Sequence, residues 1–454
     1  IMKVVHLFNV SESARDQYQH QFRYVMTDEV QDTNKAQFKL LSQLSGHYEN
    51  LFAVGDSDQS IYKWRGAEIK NIINFSTFFP NAKMYKLEQN YRSSGTIVAA
   101  SNAVVANNKE RLDKTAFTDQ DMGDPVVIYQ ADDDGREADF VTQVIRRMIQ
   151  VDGAKWNDFA ILYRTNRQSR AIETSFTQFG IPYQVVGGHA FYDRKEIKDL
   201  VGYLRAINNG LDVLAFNRII NVPKRGIGDA SVGRIQDYAL ECGIPFSKAL
   251  ENVEDVPKIP KKALASIKEF VTMMDKFIAF ANSEEFSVAE LVRLVISETH
   301  YLDALNPDKD EDASRMENIE ELVNVAGKWD EDTDRETKGL SEFLTETSLV
   351  SDVDSMEELD AVTLMTTHGS KGLEFKNVFI IGAEDSIFPH GRSMANPADM
   401  EEERRLMYVA MTRAERKLFI TLCKSRYEYG NPRPIYNKPS RFLREIPTEL
   451  VKKI

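Results

Sequence analysis

The stretch that decides the fold is Tyr24-Val25-Met26-Thr27-Asp28-Glu29-Val30-Gln31-Asp32-Thr33-Asn34. A short, mostly apolar run ends in two adjacent carboxylates, and a polar segment with helix-starting residues follows. This pattern is typical of a buried parallel strand that brings charge to the carboxyl edge of an α/β sheet. At that edge Asp28 can hold Mg²⁺ and Glu29 can orient or deprotonate a water molecule. The alternative is a solvated Asp-Glu turn that caps a helix.

The length and composition are those of a globular protein of several domains. With 454 residues the chain is too long for one core, so about two to four domains are expected. Its 42% hydrophobic residues include no run of about 18 residues, which predicts no membrane-spanning helix. Residues 1–10 lack the charged leader and cleavage site of a signal peptide. Two distant cysteines, Cys242 and Cys423, indicate a reducing cytosol and exclude a cysteine zinc site.

The net charge of −13 is concentrated in one segment. Residues 301–360 contain 20 Asp and Glu against 5 Lys and Arg, so the rest of the chain is close to neutral. A basic groove outside this segment is therefore compatible with the composition, and the charge neither indicates nor excludes a DNA partner.

The pattern of elements changes along the chain. Residues 1–85 alternate between strand and helix, with strands predicted at Phe22–Asp28 and Leu51–Gly55 and a helix at Lys35–Leu44. Residues 86–190 and 356–454 continue the β-helix-β alternation, which predicts parallel sheets. Residues 191–355 show helical spacing throughout. We therefore expect an α/β fold in which 86–190 and 356–454 form one domain, interrupted by an all-α insertion.

A second motif, Val54-Gly55-Asp56-Ser57-Asp58-Gln59-Ser60-Ile61-Tyr62-Lys63-Trp64-Arg65-Gly66-Ala67, follows the second predicted strand. The amide of Gln59 can donate to a terminal phosphate or position water. Tyr62 and Trp64 can stack on bases while Arg65 meets a phosphate. The alternative places both aromatic side chains in the core of a helical region.

These motifs, together with four more in the same order, resemble those of the superfamily 1 DNA helicases, and more narrowly the UvrD/Rep/PcrA group. The further motifs are Leu87-Glu88-Gln89-Asn90-Tyr91-Arg92-Ser93-Ser94, Tyr163-Arg164-Thr165-Asn166-Arg167-Gln168-Ser169-Arg170, Thr366-Thr367-His368-Gly369-Ser370-Lys371-Gly372-Leu373-Glu374-Phe375 and Glu401–Lys417. The resemblance implies two RecA-like motor domains, at 1–85 (incomplete) and at 86–190 plus 356–454, with a helical accessory insertion at 191–355. It also implies a bacterial cytosolic, nucleoid-associated protein and no membrane partner.

The resemblance further implies an ATP site that uses Mg²⁺. The implied roles are the Mg²⁺ ligand Asp28, the catalytic base Glu29, the γ-phosphate sensor Gln59, the adenine platform Tyr91, and the triphosphate or nucleotide contacts Arg92, Arg413 and Glu374. Guanidinium groups suit this task because the transition state of phosphoryl transfer spreads negative charge. Without the resemblance, Arg92 and Arg413 would be read as surface ion pairs.

For single-stranded DNA and single-strand/double-strand junctions, the resemblance implies a second set of contacts: Tyr62, Trp64, Arg65, Arg164, Asn166, His368, Lys371 and His390. In the helical insertion, Pro223-Lys224-Arg225-Gly226-Ile227-Gly228 resembles a helix-hairpin-helix turn, in which Lys224 and Arg225 reach a duplex phosphate. A plain helix-capping turn is the alternative. The same insertion offers a surface for protein partners.

The sequence contains no G-x-x-x-x-G-K-[ST] loop, which such a motor needs to hold phosphates. We therefore expect the carboxyl-terminal part of a longer 3′-to-5′ helicase, unable to hydrolyse ATP alone. The alternative is a non-enzymatic module that binds DNA or a partner and derives from a helicase.

Overall fold

The computed structural model describes residues 1–186, 190–332, 339–351, 360–427 and 434–454. The chain divides into two compact units. The first comprises 1–164, 362–424 and 436–454, and the second comprises 165–361 and 425–435. The described helices include none that is long and apolar enough to cross a membrane.

The strands are short and, in the first unit, all parallel. They are β1 (Val25–Thr27), β2 (Leu51–Ala53), β3 (Val126–Ala131), β4 (Phe159–Tyr163), β5 (Tyr183–Val186, in the second unit), β6 (Val362–Thr366), β7 (Phe375–Ile380), β8 (Ala414–Cys423) and β9 (Val451–Lys453).

Seventeen α-helices lie among the described residues. Those of the first unit are α1 (Met2–Val10), α2 (Glu12–Gln21), α3 (Lys35–Leu44), α4 (Lys70–Ile73), α5 (Phe75–Phe78), α6 (Gly95–Val105), α7 (Asp134–Asp152) and α17 (Pro397–Met411). Those of the second unit are α8 (Ser169–Gln178), α9 (Lys195–Asn208), α10 (Val213–Ile219), α11 (Asp229–Cys242), α12 (Phe246–Glu251), α13 (Lys261–Ala281), α14 (Val288–Thr299), α15 (Asp310–Glu331) and α16 (Leu340–Ser351).

The main sheet of the first unit has the strand order β6-β4-β7-β8-β3-β9. Strand β4, between β6 and β7, is buried at every residue, as expected for an apolar strand covered on both faces. On one face, Val378 and Ile380 of β7 share a core with Leu406 of α17 and Ile97 of α6. The connecting helix α7 starts with Asp133, whose carboxylate accepts from the N–H of Arg136 at 2.9 Å. The predicted α/β fold with parallel sheets is confirmed.

Residues 1–85 carry a separate two-stranded sheet in which β1 pairs with β2, with Val25 opposite Leu51. Both strands are shorter than predicted. The strand β1 ends before Asp28 because Glu29 adopts a left-handed backbone with φ of 52°, which breaks the extended conformation. The predicted helix Lys35–Leu44 is α3, and its cap Asn34 accepts from the N–H groups of residues 36 and 37.

The second unit is built almost entirely from helices around one apolar core. Phe270 and Phe277 of α13, Leu291 of α14 and Tyr203 of α9 are all buried there. The helical spacing of residues 191–355 corresponds to the helices α9 to α16. This unit begins at Thr165, so it includes residues that were expected in the second motor domain. The expected junction at 355/356 lies outside the described residues, and the three-domain division stays a prediction.

The buried core of the helical unit predicts a contrast between two leucines. Leu291 in α14 is fully buried, whereas Leu240 in α11 is 84% exposed. We expect Leu291→Ala to lower the free energy of unfolding by about 2–5 kcal/mol, because it leaves a cavity. Leu240→Ala should change it by less than about 0.5 kcal/mol. Urea denaturation followed by circular dichroism measures both, and equal losses would contradict the packing described.

Candidate functional site

The two carboxylates that open the sequence lie at the carboxyl end of β1. Asp28 and Glu29 are both exposed. Asp28 accepts the N–H of Glu29 at 2.8 Å, and Glu29 has the left-handed φ of 52°. Such backbone strain in a residue other than glycine is concentrated at functional sites. Exposed carboxylate oxygens at a strand end fit the ligand preference of Mg²⁺, which takes one or two carboxylates and completes its shell with water and phosphate.

Gln31 holds the Glu29 carboxylate, and sequence analysis did not single it out. Its side chain is fully buried. Its amide nitrogen donates to the Glu29 carboxylate, and its amide oxygen accepts the N–H of Asp56 at 3.0 Å. The ends of β1 and β2 are therefore joined through one side chain. Gly55 has to be small here, since a Cβ would lie 2.5 Å from the Gln31 oxygen.

Gln59 stands at the end of the short 3₁₀ turn that follows β2. Its amide nitrogen donates to Asp56 at 2.8 Å. Two cations beyond α6 hold the same turn: Lys114 lies 2.5 Å from Asp56, and Arg111 donates to both oxygens of buried Asp58 at 3.0 and 2.7 Å. Sequence analysis named neither cation, because nothing in their spacing predicts a partner in this turn.

Lys371 lies among the carboxylates of the first segment. Its ammonium forms an ion pair with Asp32, lies 3.3 Å from Glu29 and donates to the carbonyl of Gln59 at 2.9 Å. Burial raises the pKa of Asp32, and the hydrogen bond from Lys371 opposes that rise. The lysine therefore offsets part of the penalty that burial places on the charged carboxylate.

Two guanidinium groups face this region from the second α/β segment. Arg92 pairs with Glu374 and donates to the carbonyl of Thr412 at 3.2 Å. Arg413 is buried, and its guanidinium donates to the carbonyls of Val409 and Leu373. Burial and the neighbouring Arg92 lower the pKa of Arg413 to about 10, so the group stays charged at neutral pH. This is a preorganised site for an anion.

Tyr91 precedes this arginine pair and is 75% exposed. Its hydroxyl donates to the amide oxygen of Gln89 at 2.8 Å, which fixes the ring while its faces stay open. An exposed, oriented ring that directly precedes Arg92 in the chain suits a flat heterocycle attached to phosphates.

Tyr62, Trp64, Arg65 and His368 form an aromatic-basic cluster in which Trp64 and Arg65 are exposed and the other two are half-buried. The Trp64 ring is 52% exposed, and the Arg65 guanidinium lies 4.5 Å from its centre. The His368 ring packs edge-on against Trp64 at 6.4 Å, and the Tyr62 hydroxyl donates to the His368 carbonyl at 3.2 Å. Aromatic faces beside a guanidinium are the usual platform for single-stranded nucleic acid.

Arg164 and His390 meet at one carboxylate. The Arg164 guanidinium contacts Glu403 at 2.7 and 3.1 Å, and the His390 N–H donates to the same carboxylate at 3.0 Å. The His390 ring also accepts from the N–H of Arg392 at 3.3 Å. Both candidate residues are thus held in place by neighbours in this unit.

The remaining candidates lie in the helical unit. The Asn166 carbonyl accepts from Ser169 at 2.9 Å and from Arg194 at 3.0 Å. Lys224 is exposed. The guanidinium of Arg225 instead turns inward and donates to the Tyr203 hydroxyl and to the carbonyls of residues 219, 220 and 222. Its contacts are those of a residue that closes a turn.

A group of possible metal ligands occurs away from these residues. Glu137, Glu384 and Cys423 bring three ligand atoms within 4.8 Å of one another, and all three side chains are buried. Glu137 accepts from the N–H of Gly382 at 3.0 Å and from the Thr421 hydroxyl at 2.6 Å. Protein donors therefore account for this group, and it does not include Asp28.

Comparison with known proteins defines the class. The sequence-family model for the UvrD-like helicase C-terminal domain matches residues 85–425, and that for the UvrD/REP helicase N-terminal domain matches residues 1–80. Because the first match covers more than half of the chain, the chain belongs to the UvrD-like helicase family. The resemblance drawn from the motifs is confirmed. The expectation of a fragment is left without support, since the N-terminal model is itself matched.

Curated relatives of the chain include ATP-dependent DNA helicases. The chain is 45% identical to an ATP-dependent DNA helicase PcrA of Staphylococcus epidermidis over 454 residues, 99% of the chain and 62% of the relative. It is likewise 45% identical to PcrA of Staphylococcus aureus, over 100% of the chain and 62% of the relative. The chain thus spans less than two thirds of the length of these relatives.

A solved structure, described as the C-terminal domain of a possible DNA helicase from Lactobacillus plantarum, shares 10% identity with a TM-score of 0.31. The match covers 80% of this chain and 98% of the chain in that structure. A similarity of that size carries no structural argument.

The aromatic cluster has a pH dependence that can be measured. Burial and the positive charges of Arg164 and Arg65 lower the pKa of His368 from 6.5 to about 3. Its ring should therefore stay neutral above about pH 4, and its contribution to stability should fall as the pH drops from 6.5 towards 3.

NMR of ¹³C-labelled histidine checks this prediction, with the His368 signal identified by its loss in His368→Gln. We expect no chemical-shift step between pH 5 and 8. A titration centred near pH 6.5 would show that the ring is solvated and would contradict the packing described.

Proposed function

We propose that this chain serves an ATP-dependent DNA helicase of the UvrD/PcrA type that moves 3′ to 5′ along single-stranded DNA. One observation carries the proposal: the strand-end carboxylates Asp28 and Glu29 lie in the same compact unit as the arginine pair and the aromatic cluster. Hydrolysis of a nucleotide between the carboxylates and the arginine pair can therefore be linked to movement of a DNA strand on the aromatic cluster. Substrates are ATP and single-stranded DNA, including its junctions with duplex.

In the nucleotide site, each side chain takes the role for which its contacts suit it. Asp28 holds the Mg²⁺ of MgATP, which neutralises phosphate charge when bound. Glu29 orients and deprotonates the attacking water, and Gln31 and Lys371 fix its carboxylate. Gln59, held by Asp56, senses the terminal phosphate.

On the opposite side, Tyr91 stacks on the adenine and Glu374 contacts the nucleotide. Arg92 and Arg413 contact the triphosphate. Arg92 pairs with Glu374, so a phosphate that binds this arginine has to replace one charge-assisted partner by another. Arg413 is held by carbonyls, which are weaker acceptors than a phosphate oxygen.

On the DNA side, Trp64 and Tyr62 offer ring faces, Arg65 offers a phosphate contact and His368 stays neutral. Stacking of this kind tolerates any base, as a translocating motor requires. We assign auxiliary contacts to Arg164, Asn166, His390 and Lys224. Arg225 closes its own turn, and Lys371 holds the carboxylates of the nucleotide site. Among these, exposed Lys224 is the best placed for a duplex phosphate, and the helical unit offers a surface for protein partners.

Hydrolysis by these 454 residues alone is not expected. The sequence contains no G-x-x-x-x-G-K-[ST] loop, so the β- and γ-phosphates lack their backbone cradle. The alternative function is a DNA- or partner-binding module without catalysis, and it likewise predicts no ATP hydrolysis. The two differ in whether Glu29 and Asp28 take part in nucleotide binding.

We expect the chain to show no ATP turnover above background with Mg²⁺ and a dT oligonucleotide, and the Glu29→Gln variant to match it. A coupled phosphate-release assay measures this. DNA-stimulated turnover that Glu29→Gln abolishes would overturn the inactivity and support the catalytic base. Weaker binding of a fluorescent Mg-nucleotide in Asp28→Asn speaks for the motor and against the binding module.

For DNA, we expect Trp64→Ala to weaken binding of a labelled dT oligonucleotide about 5- to 150-fold, since base stacking contributes about 1–3 kcal/mol. Tyr436→Ala removes another exposed aromatic ring and should leave the affinity unchanged. Fluorescence anisotropy at fixed salt measures both. Equal affinities of wild type and Trp64→Ala would refute the aromatic cluster as the DNA platform.

A further inference from the structure

Lys371 is the side chain in which the nucleotide and DNA residues meet. Its ammonium has three N–H donors, and three oxygen acceptors surround it: the carboxylates of Asp32 and Glu29 and the carbonyl of Gln59. Only 7% of the side chain is exposed. Asp32 and the Gln59 carbonyl accept two of the donors, and the Glu29 carboxylate lies 3.3 Å away, so little of the ammonium is accessible to a DNA phosphate.

The same short turn holds the aromatic cluster. Three residues before Lys371, the carbonyl of His368 accepts the Tyr62 hydroxyl, and the Lys371 ammonium lies 5.5 Å from the Tyr62 ring. The turn is anchored to the sheet, because the N–H of Thr367 donates to the carbonyl of Tyr163 at 2.8 Å. A base that stacks against Tyr62 and His368 has to press on this turn.

Asp32 makes the ammonium hard to replace. One of its carboxylate oxygens is buried and has no hydrogen-bond partner, so Lys371 supplies most of the compensation for its charge. The Glu29 side chain is half exposed, and among the described residues Gln31 and Lys371 contact its carboxylate. Loss of the ammonium therefore frees the Glu29 carboxylate on one side.

We propose that Lys371 is a positioning residue that holds Glu29 and makes the carboxylate respond to single-stranded DNA at Tyr62 and His368. This inference rests on the proposed function and adds its regulation: DNA on the aromatic cluster moves the turn, and the turn moves the ammonium on the catalytic base. It also replaces a direct DNA contact as the role of Lys371.

Carboxyl footprinting of the chain tests the first part of the proposal, that Lys371 holds Glu29. A carbodiimide and glycine ethyl ester label accessible carboxylates, and mass spectrometry reads Glu29 against the exposed reference Glu449. We expect Lys371→Met to raise labelling of Glu29 about two- to five-fold, the range of a partly exposed ion pair. Lys371→Arg keeps the charge and should restore protection. The control Lys376→Met removes a lysine that pairs with Asp158 elsewhere and should change nothing.

The second half needs DNA. Addition of a dT oligonucleotide should change Glu29 labelling in the wild type and in Lys376→Met, but not in Lys371→Met. The DNA affinity of Lys371→Met and its dependence on salt should stay as in the wild type. A phosphate contact predicts the opposite, a weaker complex with a salt slope smaller by about 0.7.

The outcomes separate this inference from the proposed function. If the wild type binds no DNA but Lys371→Met still exposes Glu29, the proposed function fails and the positioning of Glu29 stands without its regulation. If DNA binds and neither DNA nor Lys371→Met changes Glu29 labelling, the inference is overturned and the function stands. Should Lys371→Met not fold, as judged by circular dichroism, the wild-type response of Glu29 to DNA decides alone.

Discussion

Charge neutralisation between the two α/β segments is the constraint on which the rest of this unit depends. Residues 1–85 contain three acidic groups that are partly or wholly buried, Asp32, Asp56 and Asp58. The cations that compensate them come from later in the chain: Lys371, Lys114 and Arg111. Buried charge is costly unless it is paired. The apolar core under β1 and β2 is small, formed by Val30, Phe38 and Ile72. Ion pairs therefore provide much of the stabilisation that a larger apolar core provides in other proteins.

The fold was predictable where the signal is local. The strand β4 reads as an uninterrupted apolar run, Phe159–Tyr163, and it is found with those boundaries because a strand buried on both faces needs nothing else. The helix α3 starts at a capping box that Asn34 makes with Gln37. The order of motifs, each a few residues long, was enough to identify the family, since spacing within a motif is a local property.

The sequence did not predict the contacts of the site that join residues far apart in the chain. Gln31 reaches Asp56 across 25 residues, Arg111 reaches Asp58 across 53 and Lys371 reaches Asp32 across 339. Whether a lysine meets a carboxylate or a DNA phosphate depends on how the sheet brings its segment round, which spacing does not encode. The strand β1 was likewise predicted to be longer than it is, because a glutamate gives no sign in the sequence that it will adopt the left-handed backbone found at Glu29.

The contacts also divide the cations into two kinds. Arg111, Lys114 and Lys371 face carboxylates that are partly or wholly buried and bind them tightly, so a ligand gains little by competing for them. Arg92 pairs with a half-exposed carboxylate, which water can replace at small cost. Trp64 keeps its ring open to solvent. Groups with exchangeable partners are the ones that a nucleotide or a DNA strand can bind, whereas the tightly paired cations stabilise the surrounding structure. A substitution of a tightly paired cation therefore changes binding indirectly, through Glu29 or Gln59. A substitution of Arg92 or Trp64 changes binding directly.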